Sequence, residues 1–175
     1  MNKPTHICIC TEADSAELLA LSFQTFEEAY KDTNDPENYA LYVKKSFTLA
    51  VIQMELAEPK SFFFFLRTDD TNDIIGYLKL RSDRSEEFFP SEPALELQRI
   101  YIKKAFWRSG YGKVLLAFAE NYAHENKFKW LWLVVFNKND AAIRFYTREG
   151  YTVFANKAFQ FGDEIHDDFA MRKMI

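Results

Sequence analysis

Two glycines one residue apart, in the run Arg108-Ser109-Gly110-Tyr111-Gly112-Lys113, form the segment of this sequence best suited to hold a charged ligand. Glycine lets backbone N–H groups turn outward and lets an anion approach without meeting a Cβ. Val114, Leu115, Phe118 and Tyr122 follow at helical spacing, so the run should open a helix over 110–126. The unpaired N–H groups of a helix start and the positive end of its dipole favour negative charge. Arg108 and Lys113 add positive charge nearby. The spacing is not that of the Gly-x-x-x-x-Gly-Lys-Ser/Thr phosphate loop, and the third glycine of a dinucleotide fingerprint is missing. Read alone, the pair serves either an anion cradle or a plain tight turn.

The flanking residues narrow the choice. Upstream lies Glu96-Leu97-Gln98-Arg99-Ile100-Tyr101-Ile102, a strand whose strict alternation breaks between 97 and 100, followed by Trp107 and the glycine run. Downstream lies Asn139-Asp140-Ala141-Ala142-Ile143-Arg144-Phe145-Tyr146, then Glu149-Gly150-Tyr151. The first stretch resembles motif A of the GCN5-related N-acetyltransferase (GNAT) superfamily, and the second resembles that family's Asn-x-x-Ala-x-x-Phe-Tyr-x-x-x-Gly-Phe signature. Trp107 departs from the pattern, which carries Gln or Arg there.

The resemblance implies an acetyl-CoA-dependent N-acetyltransferase. The glycine run, from Trp107 and Arg108 through Ser109, Gly110, Tyr111 and Gly112 to Lys113, would cradle the CoA pyrophosphate. The strand would carry a bulge that splays it from its neighbour, and Ile100, Tyr101 and Ile102 would hold the pantetheine arm in the gap. Asn139, an N-cap by its position, would also contact the pantetheine. Acetyl transfer from a thioester needs a neutral amine, donors for the tetrahedral oxyanion and a proton for the departing thiolate. By the same resemblance Tyr146 would give that proton, and a backbone N–H near Ile100 would meet the oxyanion. A tyrosine packed under the sheet is the other reading of Tyr146. Glu96 is the candidate base, acting through water because a carboxylate cannot itself deprotonate an alkylammonium of pKa about 10; alternatively it pairs with Arg99 or another cation. His124 reads as a surface or capping residue, while His6 and His166 lie near the first strand and the last hairpin.

Much of the chain is similar to the PaiA-type spermidine/spermine branch, in stretches such as 25–30, 34–42, 59–64 and 75–80. That implies a primary amine as acceptor, a polyamine or other small amine, met by Glu27, Glu28, Tyr30 and Asn34. A polycation calls for several carboxylates, and Asp32, Asp35, Asp163 and Glu164 are further candidates. Two other readings remain: a protein or peptide N-terminal acetyltransferase, and a CoA-binding regulatory module without catalysis.

The elements that position these residues follow from periodicity. Strands are expected over 5–11, 62–66, 74–80, 95–102, 130–136, 151–159 and 165–171, with helices over 14–30, 39–56, 110–126 and 140–148. The order is strand, two helices, three strands, helix, strand, helix, two strands, which predicts an α/β (mixed α+β) fold. Its centre would be a mixed, mostly antiparallel sheet of about seven strands, with about four helices on the faces, in one domain over 1–175. The segment 81–93, charged and holding Pro90 and Pro93, reads as a loop. With 175 residues, 48% hydrophobic and 18 Phe, the chain can bury a ring-rich core. A net charge of −4 argues against nucleic acid as partner. No apolar run spans a membrane and no signal peptide is evident, so a cytoplasmic enzyme is expected, with a homodimer left open. Cys8 and Cys10 alone make no zinc site and read as reduced residues on a strand face. No metal is expected.

Overall fold

The computed structural model describes residues 3–83 and 87–175. The expected loop over 81–93 therefore includes three positions, 84–86, that lie outside the described residues. Seven strands form one sheet in the order β1-β2-β3-β4-β5-β7-β6. They are β1 (Thr5–Ile9), β2 (Ser61–Thr68), β3 (Ile74–Arg81), β4 (Ala94–Ile102), β5 (Trp130–Val135), β6 (Thr152–Phe161) and β7 (Glu164–Met174). Among the described residues five α-helices accompany them: α1 (Ser15–Tyr30), α2 (Pro36–Ser46), α3 (Leu49–Ala57), α4 (Tyr111–Glu125) and α5 (Asp140–Arg148). Every strand pairing is antiparallel except β4 with β5. Among the described residues no helix is long and apolar enough to cross a membrane.

The expected second helix over 39–56 is two helices. Thr48 accepts a hydrogen bond from Val51 N and so starts α3 as an N-cap. Phe47, just before it, leaves helical geometry with φ −108° and ψ 69° and joins the rings of Phe23, Phe26 and Tyr42. Packing of that ring and the cap together override a continuous helical pattern. Val114 is a second departure: it is exposed, and the buried face of α4 runs through Tyr111, Leu115, Leu116, Ala119 and Ala123.

Two side-chain layers sandwich the sheet. On one face α4 and α5 cover Leu95, Leu97, Leu131, Leu133, Val135 and Met171. On the other, α1 and α3 cover Phe63, Phe65, Ile74 and Tyr77. Alternation along the strands assigns the faces, because successive side chains point to opposite sides. One irregularity matters most. Lys79 pairs with Arg99 but Leu80 pairs with Leu97, so Gln98 is an extra residue in β4, a β-bulge.

The bulge is clamped from above. Glu55 on α3 accepts from both terminal nitrogens of Arg99, at 2.7 and 2.8 Å. Its Oε1 also lies 2.9 Å from Lys79 Nζ, as an ion pair without good hydrogen-bond alignment. Lys79 is fully buried. Burial and the neighbouring Arg99 push its amine down to about 8 against the pull of Glu55. Burial would raise the Glu55 carboxyl, yet the two cations beside it hold it below the usual range.

Gly76 lets β3 and β4 meet opposite the splayed end. A Cβ there would come within 2.5 Å of Ile102 Cδ1 and 2.6 Å of the Tyr101 carbonyl oxygen. Because one obstacle is backbone, Gly76→Ala should lower unfolding stability by roughly 1–3 kcal/mol, measured as a shift of the urea midpoint at unchanged slope.

Candidate functional site

Past Glu96, β4 keeps β3 but loses β5 as a partner. Its parallel pairing with β5 covers only Ala94–Glu96 against Trp130–Trp132, while β5 stays paired to β7 along its whole length. The sheet therefore opens into a V between residues 97–102 and 133–136. Which backbone groups face that V follows from hydrogen-bond alternation. Lys103 N donates to Ile75 O across the β3 side. Counting back by twos, Tyr101 also faces β3, and the N–H and C=O of Ile100 and Ile102 face the gap. Trp107 Nε1 donates to the Ile102 carbonyl at 2.7 Å, from that open side. The one residue that departs from the motif thus caps a strand group on the wall of the gap. Tyr101 can contribute only its ring, which stacks on Tyr77.

The glycine run follows directly on Trp107, which lines the gap. Gly110 is the N-cap of α4 with φ 79°, a left-handed conformation that suits glycine. Arg108 has φ 61° and is exposed, a strained setting for a residue with a Cβ. The first hydrogen bond of α4 runs from Lys113 N to Gly110 O, so the N–H groups of Gly110, Tyr111 and Gly112 precede the helical ladder. A Cβ on Gly112 would meet nothing nearer than 3.9 Å, at Phe145. Internal packing therefore does not require glycine at 112, and the space above it is open for a ligand. The Tyr111 side chain turns into the core, where its hydroxyl meets the Lys3 backbone, so only its main chain faces the loop. Lys113 is shared with Glu149 at 3.1 Å. Ser109 lies half-buried within the loop.

Helix α5 forms the other bank. Asn139 caps it, its Oδ1 accepting from Ala142 N at 3.1 Å, which leaves the Nδ2 group to offer a ligand. Tyr146, one helical stretch later, is 7% exposed, and its ring meets Phe145 and Tyr151 edge-on. Burial holds its hydroxyl well above the usual phenol range, so it stays protonated. Asn139, Tyr146, Trp107, Ile100 and Ile102 all line one cavity of about 230 Å³.

A second cavity of about 290 Å³ lies on the α1 side of the sheet. The two share six lining residues, Tyr30, Gln98, Arg99, Tyr101, Val134 and Phe136, so they meet through the V at the bulge. Gln98 Oε1 is buried with no hydrogen-bond partner among the described residues, an acceptor that a ligand N–H or a water could satisfy. A larger, more open hollow of about 510 Å³ between α2 and the β6–β7 turn shares only Tyr42 with these two and no residue of the bulge.

Of the residues expected to meet an acceptor, Tyr30, Asn34 and Glu96 line the second cavity, and Glu96 is 6% exposed. Glu27 and Glu28 do not line it. Glu27 pairs with Lys31 one turn on, and Glu28 accepts from Lys104 N and holds the turn after β4. Of the alternative partners expected for Glu96, Arg99 is taken by the Glu55 clamp, while another cation, the buried Arg81, lies directly across the β3–β4 ladder from it. Among the lining residues not singled out as site residues are Gln98, Arg99, Asp168 and Phe136. His166 lies where it could approach the cleft, stacked on Phe136 and Phe161. The roof is aromatic. Phe26 packs against Tyr42, Tyr39, Phe47 and Phe161, and Asn38 ties α2 to the β6–β7 turn through Asp163 N and Glu164.

Among the described residues there is no group of three or more His, Cys, Asp and Glu placed to hold a metal. The arrangement can seat an anion at the loop, an extended polar chain along Ile100 and Ile102, and a cation beside Glu96 and Asp168. The Tyr146 side chain, buried and protonated, lines the first of the two cavities.

Comparison with known proteins shows the family. Residues 17–151 match the model of the Acetyltransferase (GNAT) family. An uncharacterized N-acetyltransferase in the pepI 3′ region of Lactobacillus delbrueckii subsp. lactis is 37% identical over 167 residues, covering 94% of each chain. The PaiA N-acetyltransferase of Thermoplasma acidophilum, solved in complex with coenzyme A, superposes with a TM-score of 0.78 at 19% identity, over 98% of this chain and 99% of that one. The ribosomal-protein-S18-alanine N-acetyltransferase of Escherichia coli gives 0.70 at 16% identity, over 98% and 94%. At these identities the two structures attest the fold.

The cap at Asn139 is separable from any ligand contact. Asn139→Ala should lower stability by about 1 kcal/mol in urea unfolding, whereas Asn139→Asp, which can still accept from Ala142 N, should lose only a few tenths.

Proposed function

The chain belongs to the GNAT acetyltransferase family, and from that premise we infer that it moves the acetyl group of acetyl-CoA onto the primary amine of a small molecule. The observation that carries this reading is the meeting of two cavities through the V: one lined by Ile100, Ile102, Trp107, Asn139 and Tyr146, the other by rings and the carboxylates Glu96 and Asp168. Residues 1–175 are read as one such domain.

The donor thioester supplies an activated acetyl group. Its pyrophosphate suits the N–H groups of Gly110, Tyr111 and Gly112, with Arg108 and Lys113 lending charge. Its pantetheine amides suit the open backbone edge of Ile100 and Ile102 and the Nδ2 of Asn139. The Trp107 indole occupies one lone pair of the Ile102 carbonyl and leaves the second for a ligand. The Ile100 N–H, fixed just past the bulge, is the donor assigned to the oxyanion. Tyr146, kept protonated by burial, gives its proton to the departing sulfur. Glu96 takes the ammonium proton through a water and so yields the neutral nucleophile.

The acceptor is read as a small amine, with a polyamine such as spermidine or spermine as the candidate class. The ring-lined cavity of 290 Å³ under the α2 roof suits a narrow molecule better than an extended polypeptide terminus. CoA release against a panel of polyamines, monoamines and short peptides tests this. Turnover of peptides alone would overturn the small-amine reading, and acetyl-CoA binding without turnover of any amine would favour a regulatory module.

Two variants divide the site. Tyr146→Phe should lower kcat about 100-fold or more while changing CoA affinity less than about threefold; equal losses would contradict the proton-donor role. Gly112→Ala should leave unfolding stability unchanged or raised by about 0.5–1 kcal/mol, yet weaken CoA binding at least about tenfold by placing a methyl where the pyrophosphate lies.

A further inference from the structure

The charges around the second cavity are paired unevenly. Each permanently charged cation that lines it has its partner outside the lining. Arg99 is held by Glu55, and Lys157 lies 2.8 Å from Glu87; His166, also in the lining, has its Nε2 3.2 Å from Glu164. Asp168, on β7, differs. It is 5% exposed and lines the cavity, and its Oδ1 accepts from Asn137 N at 3.2 Å. Among the described residues no ion pair engages it. The obvious counter-ion is Lys157, its direct neighbour across the β6–β7 ladder. That amine instead reaches outward to Glu87 and lies over the rings of Phe88 and Trp132.

A carboxylate removed from water without a cation is unfavourable unless something arrives to compensate it. Burial accordingly raises the Asp168 carboxyl above the usual range, against the Asn137 N–H and the neighbouring His166. The reacting nitrogen must sit at the V, near Gln98 and Ile100, and must be neutral to attack. Asp168 stands on β7, two strands from β4, with Phe136 and Phe161 among the rings of the same cavity. A carboxylate there meets a different part of the acceptor.

We propose that Asp168 docks a second ammonium group of the acceptor, so that the site selects amines carrying at least two positive charges. This rests on the small-amine reading above and deepens it. Glu96, near the apex of the V, serves the nitrogen that reacts, and Asp168 holds the one that does not. Rings that line the same cavity add cation–π attraction for that group.

The test compares linear diamines of three to eight carbons with alkylamines of matched length, in wild type and Asp168→Asn. Asparagine keeps an oxygen for the Asn137 N–H, so the fold should survive, and a thermal melt checks it. The wild type should prefer its best diamine over the matched monoamine by at least about tenfold in kcat/KM. In Asp168→Asn the KM for that diamine should rise about 10- to 100-fold with kcat within about threefold, while the monoamine changes less than about threefold. Asp168→Glu should restore part of the preference. Equal losses for both amine classes, or no diamine preference in the wild type, would overturn the proposal. If the wild type acetylated no amine, the function reading would fail. Calorimetric binding of the diamines to the CoA complex, lost or unchanged in Asp168→Asn, would still decide for or against Asp168.

Discussion

One extra residue in β4 governs this molecule. Inserting Gln98 opposite a single step of β3 turns the strand away from β5, and an open V results from what would otherwise be a closed ladder. A bulge left to itself could slip by a residue and send every later side chain to the other face. The Glu55 clamp prevents that. It holds Arg99 and Lys79, the cross-strand pair that borders the bulge, against α3. Buried ion pairs add little net stability, because desolvation offsets their attraction. Their value here is positional: three charges in one place allow one register.

The V solves a geometric problem. On the proposed reading, a donor on the α4–α5 face presents its thioester to an amine on the α1–α2 face, and a continuous sheet would stand between them. The gap removes that wall over a few residues while β5–β7 and β3–β4 keep both flanks rigid. Each bank then contributes what its position allows. The open edge of β4 offers backbone amides, the start of α4 offers N–H groups and positive dipole, and α5 offers Asn139 and Tyr146. The second cavity takes its carboxylates from strands and its rings from α1, α2 and β6. Gly76 allows β3 to lie close to the free end of β4, so the splay does not loosen the core.

The sequence displayed the parts of this design that are local. Paired glycines before a helical pattern, Asn139 seven residues before Tyr146, and the lost alternation between 97 and 100 all lie within short windows. The sheet's content and most element bounds were legible for the same reason. Contacts between distant segments were not. Glu55 and Arg99 are 44 residues apart, and nothing in either neighbourhood marks the pair. No local pattern marks Asp168, because its lack of a counter-ion depends on where the Lys157 side chain goes. Glu27 and Glu28 looked suited to a cation, yet local partners, Lys31 and the Lys104 N–H, use them. The break at Phe47–Thr48 was hidden because apolar spacing continues across it, and only the cap geometry separates α2 from α3.

The central claim is that the β5-facing backbone edge of β4 is the seat of the donor arm. Hydrogen exchange of individual amides in β4, with and without acetyl-CoA, tests it directly. Tyr101 N–H, bonded across to β3, should be protected in both states. Ile100 and Ile102 N–H, which face the gap, should exchange readily in the free protein and slow at least about tenfold when acetyl-CoA is bound. Protection of the glycine loop with no change at Ile100 and Ile102 would mean that the arm does not run along the splayed strand, and would contradict the account.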